Sequence, residues 1–164
     1  MKLSDREIWQ EQDKYLLVMP WNPDHLQPAS VDLTLGNEFI SNGAKFALTE
    51  GYQLAPREFV LGTTVESLSV PPHMVGEVKG RSTWARRGLV VESAGYIDPG
   101  FVGTITLELY NFSDRTLYLP LGERICQVAY TLLTSPAMRP YGSEGLGSHY
   151  FGQDGVTPAH DGKD

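Results

Sequence analysis

Residues 104–110 read Thr-Ile-Thr-Leu-Glu-Leu-Tyr, a strict alternation of polar and apolar side chains. Successive side chains of an extended strand point to opposite faces. Ile105, Leu107 and Leu109 therefore share one face, and Thr104, Thr106, Glu108 and Tyr110 share the other. The same reading extends outward in both directions. Val31, Leu33 and Leu35 alternate within 30–40, and 58–70 holds one or two further strands that end at Pro71-Pro72. Residues 74–79 and 89–91 are short strand candidates, and Gly95, Pro99, Gly100 and Gly103 mark 95–103 as a turn. Downstream, 116–121 and 124–133 read as two strands around Pro120-Leu121-Gly122.

Helix is scarce. Ser4 and Glu7 have capping-box spacing, with Ile8 and Trp9 as the apolar face of a short N-terminal helix. Pro20, Pro23 and Pro28 exclude regular helix after it. Gly80 and Gly88 bracket one or two helical turns in the middle of the chain. With 17 glycines and 11 prolines spread along 164 residues, the pattern is a mostly β sandwich or barrel with a short N-terminal helix and a short central helix. No repeat or linker divides it, so 1–164 reads as a single domain. Its Gly- and Ser-rich 136–164 form a C-terminal arm, with Asp161 and Asp164 expected to fray.

Composition narrows the function. A net charge of -7 argues against a surface that grips nucleic acid, so an anionic ligand needs a local basic cluster. No apolar run approaches the ~20 residues of a membrane-spanning helix, which excludes a membrane partner of that kind. The start, Met1-Lys2-Leu3-Ser4-Asp5, has no apolar signal region behind it, and the single Cys126 forbids an intrachain disulfide. Both fit a reducing, cytoplasmic setting. His25, His73, His149 and His160 lack metal-ligand spacing, and no His-x-Glu with Pro-Cys-x-x-Cys is present, so zinc is not expected. Phosphate-loop, dinucleotide-fold and nucleophile-elbow patterns are also absent.

Three features carry chemistry. Glu108 reads either as a glutamate on the wet face of an edge strand or as a carboxylate on a pocket wall, able to act as general base. Lys79, Arg81, Arg86 and Arg87 crowd an acidic chain around Ser82 and Thr83, either as a solvated basic loop or as a phosphate-binding one. Asp98 precedes Pro99-Gly100, where an aspartate caps a turn or holds a sugar hydroxyl.

These segments together resemble the dCTP deaminase branch of the dUTPase-like superfamily. The resemblance rests on Gln27-Pro28-Ala29-Ser30-Val31-Asp32-Leu33-Thr34-Leu35-Gly36, on Gly80-Arg81-Ser82-Thr83-Trp84-Ala85-Arg86-Arg87-Gly88-Leu89 and on Ala94 to Phe101. It continues through Gly103-Thr104-Ile105-Thr106-Leu107-Glu108-Leu109, Arg124-Ile125-Cys126-Gln127, Pro140-Tyr141-Gly142-Ser143, Tyr150 and Gln153. It implies a homotrimer of distorted β-barrels with shared active sites and a zinc-free deamination. In that implication Glu108 activates the water, Ser82 and Arg86 polarise the site, and the Ala94 carbonyl holds the water. Asp98 would bind the 3′-hydroxyl and Phe101 would pack on the deoxyribose. Arg81, Ser82, Thr83, Arg86, Thr106, Leu107, Gln127, Tyr141, His149 and Gln153 would surround the nucleotide. Magnesium would enter on the triphosphate.

The resemblance also implies dCTP and dUTP as ligands and, as is common in the family, dTTP as inhibitor. One subgroup of the family stops at dUTP and tends to carry Ala-His-Arg where this chain has Ala94-Gly95-Tyr96. The subgroup that continues to dUMP carries Ala-Gly-aromatic, so Ala94 and Gly95 point to the dUMP-forming type. The other readings are a deaminase that releases dUTP, a plain dUTPase and a non-catalytic nucleotide-binding regulator. His149 replaces the family's usual lysine, Trp84 a smaller aliphatic and Ser93 a frequent threonine. Residues 40–58 read as a shortened loop.

Overall fold

A computed structural model of the chain describes residues 1–91 and 94–160. Ser93, Asp161 and Asp164 lie outside them. The helix α1 (Asp5–Tyr15) starts where the capping pair predicts, with the Glu7 carboxylate accepting the Ser4 N–H at 2.8 Å and its hydroxyl at 3.0 Å. Ile8 is buried, but the other buried position is Gln12, not Trp9. Gln12 hydrogen-bonds both backbone groups of Val18, at 2.9 and 3.0 Å, and so ties α1 to β1 (Val18–Met19). Trp9 is 44% exposed and packs edge-on against Trp21.

The strands that follow are β2 (Leu26–Gln27), β3 (Ser30–Ser41), β4 (Ala44–Ala47), β5 (Gly51–Leu54), β6 (Phe59–Ser69) and β7 (Met74–Gly80). After the helical turn α2 (Ser82–Ala85) come β8 (Leu89–Val91), β9 (Tyr96–Ile97), β10 (Val102–Asn111), β11 (Leu117–Pro120) and β12 (Arg124–Leu132). Residues 95–103 are thus a turn that begins with a short strand. Residues 40–58 are not a loop. They carry β4, which pairs β3, and β5, which pairs β11 in a separate two-stranded sheet. Among the described residues no helix is long and apolar enough to cross a membrane.

The main sheet is antiparallel with the order β8-β10-β6-β3-β12-β7-β9. Its two end strands are close in sequence, Val91 closing β8 and Tyr96 opening β9. Five Cα steps span at most about 18 Å. The sheet must therefore curl until its edges nearly meet, and this gives the half-closed barrel its shape. The core runs down the inside of the curl, with Leu33, Leu35, Phe39, Leu68, Leu107, Leu109 and Val128 essentially inaccessible to solvent. Each such side chain contributes on the order of 1.5–3 kcal/mol of burial.

Where β10 crosses β6 the register slips between Thr104 and Thr106. The Ile105 N–H is satisfied by the Thr64 hydroxyl at 2.9 Å instead of a ladder carbonyl. The strict alternation read in 104–110 is interrupted at this one bulge, which turns Ile105 toward the same cavity as Thr106 and Glu108.

Candidate active site

The seam between the curled edges is a cavity of about 430 Å³. One wall is β10 and β6, contributing Ile105, Thr106, Glu108, Phe59 and Leu61. The other is Val78 and the segment from Ala94 to Asp98, with Phe101 below. Glu108 is half-buried and pairs in register with Leu61 across the ladder. It stands on a pocket wall, the second of the two readings its alternation allowed. The Asp98 turn is pinned by hydrogen bonds between Gly100 and Val70 at 2.7 Å and between Val70 and Phe101 at 2.9 Å. The Gly95 carbonyl accepts the Val78 N–H at 2.7 Å, so the edge beside Ala94 is held against β7.

The arm closes the third side. It returns along β10 in parallel, with Gly103 bridged to Gln153. Gly103 has φ +145°, and a Cβ there would lie 2.6 Å from the Gln153 carbonyl, so the approach needs glycine. The Gln153 side chain donates to the Thr104 carbonyl at 2.6 Å, and the Thr157 N–H donates to the Thr106 hydroxyl at 3.0 Å. Tyr141 packs its ring 5.9 Å from that of Phe101 and accepts the Tyr150 N–H at 2.9 Å. Tyr150, Gln153, Thr157, Pro158 and Ala159 complete the lining. The arm therefore covers the site of its own chain.

The cavity thus gathers Ala94, Gly95, Asp98, Phe101, Thr106, Glu108, Tyr141 and Gln153 from the sequence-predicted set. The basic loop is elsewhere. Arg81 pairs with the buried Asp32 at 3.2 Å, as does Arg124 at 3.3 Å. Burial raises the Asp32 carboxyl, with the two guanidinium groups pulling it the other way. Ser82, Thr83, Arg86 and Arg87 are exposed, and Arg87 lies over the Trp84 ring. Gln127 sits at the loop's base, taking the Ser30 hydroxyl at 2.7 Å and donating to the Gly80 carbonyl at 3.4 Å. The Leu107 side chain is in the core, and exposed His149 stacks on His160 with centroids 4.1 Å apart. Neither lines the cavity. Phe59, Leu61 and 157–159 are lining residues that sequence reading missed. Phe59 and Leu61 stand opposite Tyr110 and Glu108 only through the β6–β10 register.

A family model described as dCTP deaminase-like matches residues 41–133. A dUMP-forming dCTP deaminase of Aquifex aeolicus is 40% identical over 174 aligned residues, covering 97% of this chain and 94% of that one. The chain belongs to the dCTP deaminase-like family. A second dUMP-forming member, from Bifidobacterium longum, is 41% identical over 180 residues, covering 97% of this chain and 93% of its own. Both alignments are longer than the 164 residues here, so this member of the family lacks positions its relatives carry. The fold of a 2′-deoxycytidine 5′-triphosphate deaminase from Agrobacterium tumefaciens superposes with a TM-score of 0.69 at 19% identity. That match covers 80% of this chain and 48% of the other.

Proposed function

We propose that the chain converts dCTP to dUMP, ammonia and diphosphate. The observation that carries the reading is Glu108, held half-buried on the wall of the cavity that also takes in Ala94, Asp98 and Phe101. In this reading Glu108 is the general base. Glu108 takes a proton from a water that the Ala94 carbonyl holds. The resulting hydroxide attacks C4 of cytosine, and the C=N bond opens to a tetrahedral carbon. Glu108 returns that proton to N3, then takes the proton of the new C4 hydroxyl and passes it to the C4 amine, which leaves as ammonia as the C4 carbonyl forms. A second water breaks the bond between the α- and β-phosphates, giving dUMP and diphosphate. Asp98 accepts the 3′-hydroxyl, and Phe101 fills the space a 2′-hydroxyl would need. Leu107 contributes through its backbone beside Thr106, and Tyr141 and Gln153 close on the nucleotide.

Charge supports an assembly of several copies. Among the described lining residues there are two carboxylates, Asp98 and Glu108, and no lysine or arginine. The described lining offers a triphosphate no cation, and in this reading the cations come from a second copy. In this reading a homotrimer seats each basic loop, Arg81, Ser82, Thr83 and Arg86 with Gln127 at its base, at a neighbour's cavity. The exposed aromatic and aliphatic rim of Phe59, Val90, Tyr96 and Phe112 is then covered in the same contact. Magnesium arrives on the triphosphate, where it offsets the phosphate charge. Its ligands in this reading are phosphate oxygens. His149 brings an imidazole where the family has an ammonium, and dTTP fits the same pocket as inhibitor.

The test is to incubate the protein with dCTP and magnesium and to quantify ammonia, diphosphate, dUTP and dUMP together. Equal ammonia, diphosphate and dUMP without a free dUTP pool is the expected result. Glu108→Gln should abolish ammonia release and still bind nucleotide. Accumulating dUTP would reduce the protein to a deaminase, cleavage of dUTP without ammonia would make it a dUTPase, and binding without turnover a regulator. Undiminished ammonia from Glu108→Gln would sink the mechanism.

A further inference from the structure

The β3–β4 hairpin ends in an ion pair that none of the chemistry above uses. Glu38 and Lys45 lie on adjacent strands, 2.9 Å apart, and both reach past each other to the arm. The Glu38 carboxylate accepts the Val156 N–H at 3.1 Å, and Lys45 donates to the Val156 carbonyl at 3.3 Å. Both backbone polar groups of one buried arm residue are thus held by two opposite charges of the hairpin. The next residue back, Gly155, has φ +71°, and a Cβ there would run into the Glu38 carboxylate. Glycine is what lets the arm come this close.

The position matters as much as the contact. Val156 sits between two bonds of the arm to β10, from the Thr104 hydroxyl to the Gly155 carbonyl at 3.2 Å and from the Thr157 N–H to the Thr106 hydroxyl at 3.0 Å. The segment it anchors, Thr157, Pro158 and Ala159, lines the cavity. We propose that Glu38 and Lys45 are a catch that keeps the arm closed over the cavity before a ligand arrives. An exposed ion pair alone holds little. This one is reinforced because its carboxylate also takes a backbone N–H, a charge-assisted bond. The Lys45 ammonium holds the Glu38 carboxyl below the usual glutamate range, which keeps the acceptor charged at mildly acidic pH.

The kinetic consequence rests on the nucleotide reading of the cavity; the closure itself does not. When only a fraction of molecules is closed, the apparent affinity for ligand falls by that fraction. Opening the catch therefore weakens substrate binding and leaves the chemical step alone.

The test compares the wild-type protein with Glu38→Ala and Lys45→Met, without nucleotide, by amide hydrogen exchange, with thermal melting to confirm that each variant is folded. Lys45 is half-exposed, so its variant keeps the test usable if Glu38→Ala folds poorly. In both variants the amides of Gly152, Val156 and Thr157 should exchange together, roughly tenfold faster than in the wild type, as one cooperative opening. KM for dCTP should rise several-fold with kcat unchanged to within about twofold. Faster exchange at Val156 alone would show a capped amide and overturn the catch, as would unchanged exchange at all three. A wild-type protein that neither turns over nor binds dCTP or dUTP would defeat the nucleotide reading, and the exchange data would still decide the catch.

Discussion

Gly95 and Glu108 face one cavity from its two walls, and this makes Gly95 testable separately from the base. Its carbonyl is fixed to Val78, so a side chain added there must enter the cavity or displace the 94–98 edge. Gly95→His should fill the space a second water needs. Ammonia release should survive within a few-fold, diphosphate should disappear, and dUTP should accumulate when products are separated by chromatography. Retained diphosphate release would defeat that role for Gly95. At this scale the sequence was informative wherever local chemistry decides a position. The turn left Asp98 two roles and the alternation left Glu108 two places, and the fold puts both on the cavity wall. Phe59 and Leu61 were not legible, because nothing local tells which strand faces Glu108 or in what register. The bulge at Ile105 was equally hidden, since it exists only against β6.

Among the elements, the turn after β10 depends on one buried amide. Asn111 is fully buried and donates to the carbonyls of Leu54 and Arg115 at 3.0 and 2.8 Å. Its oxygen accepts the N–H and hydroxyl of Ser113 at 2.9 and 2.7 Å. Asn111→Ala should leave these groups unpaired and lower stability by about 3 kcal/mol, read as a shift in the urea midpoint. An unchanged midpoint would mean that water replaces the amide. The helix α1 was legible because Ser4 and Glu7 are three residues apart. The strand β5 was not, since Leu54 finds its partner, Leu117, only after most of the sheet has been laid down, whereas β4 pairs locally with β3 across Asn42-Gly43, a turn signal the sequence reading passed over.

For the whole molecule, the separation of the carboxylate-lined cavity from the basic loop has a direct consequence. If each site takes Glu108 from one copy and Arg86 from a neighbour, Glu108→Gln and Arg86→Ala are inactive alone and complement one another when mixed. Random exchange of equal amounts should return about a quarter of wild-type ammonia release, because a quarter of the sites then inherit both intact residues. No recovery after subunit exchange, verified by sedimentation of mixed species, would place both residues in one copy's site. The sequence grouped these residues by motif; only the fold shows that one chain does not bring them together.

The pairing of β3 with β12 bears on how the chain is made. Val31 finds Val128 nearly a hundred residues later, so the centre of the sheet has no second neighbour until the ribosome has released most of the protein. Until then the first half of β3, with the buried Val31, Leu33 and Leu35, presents an open edge. Such non-local pairing forms slowly and leaves sticky intermediates exposed. The nascent chain therefore depends on being shielded during synthesis, and its yield should be governed by how quickly the last strand reaches the first long one.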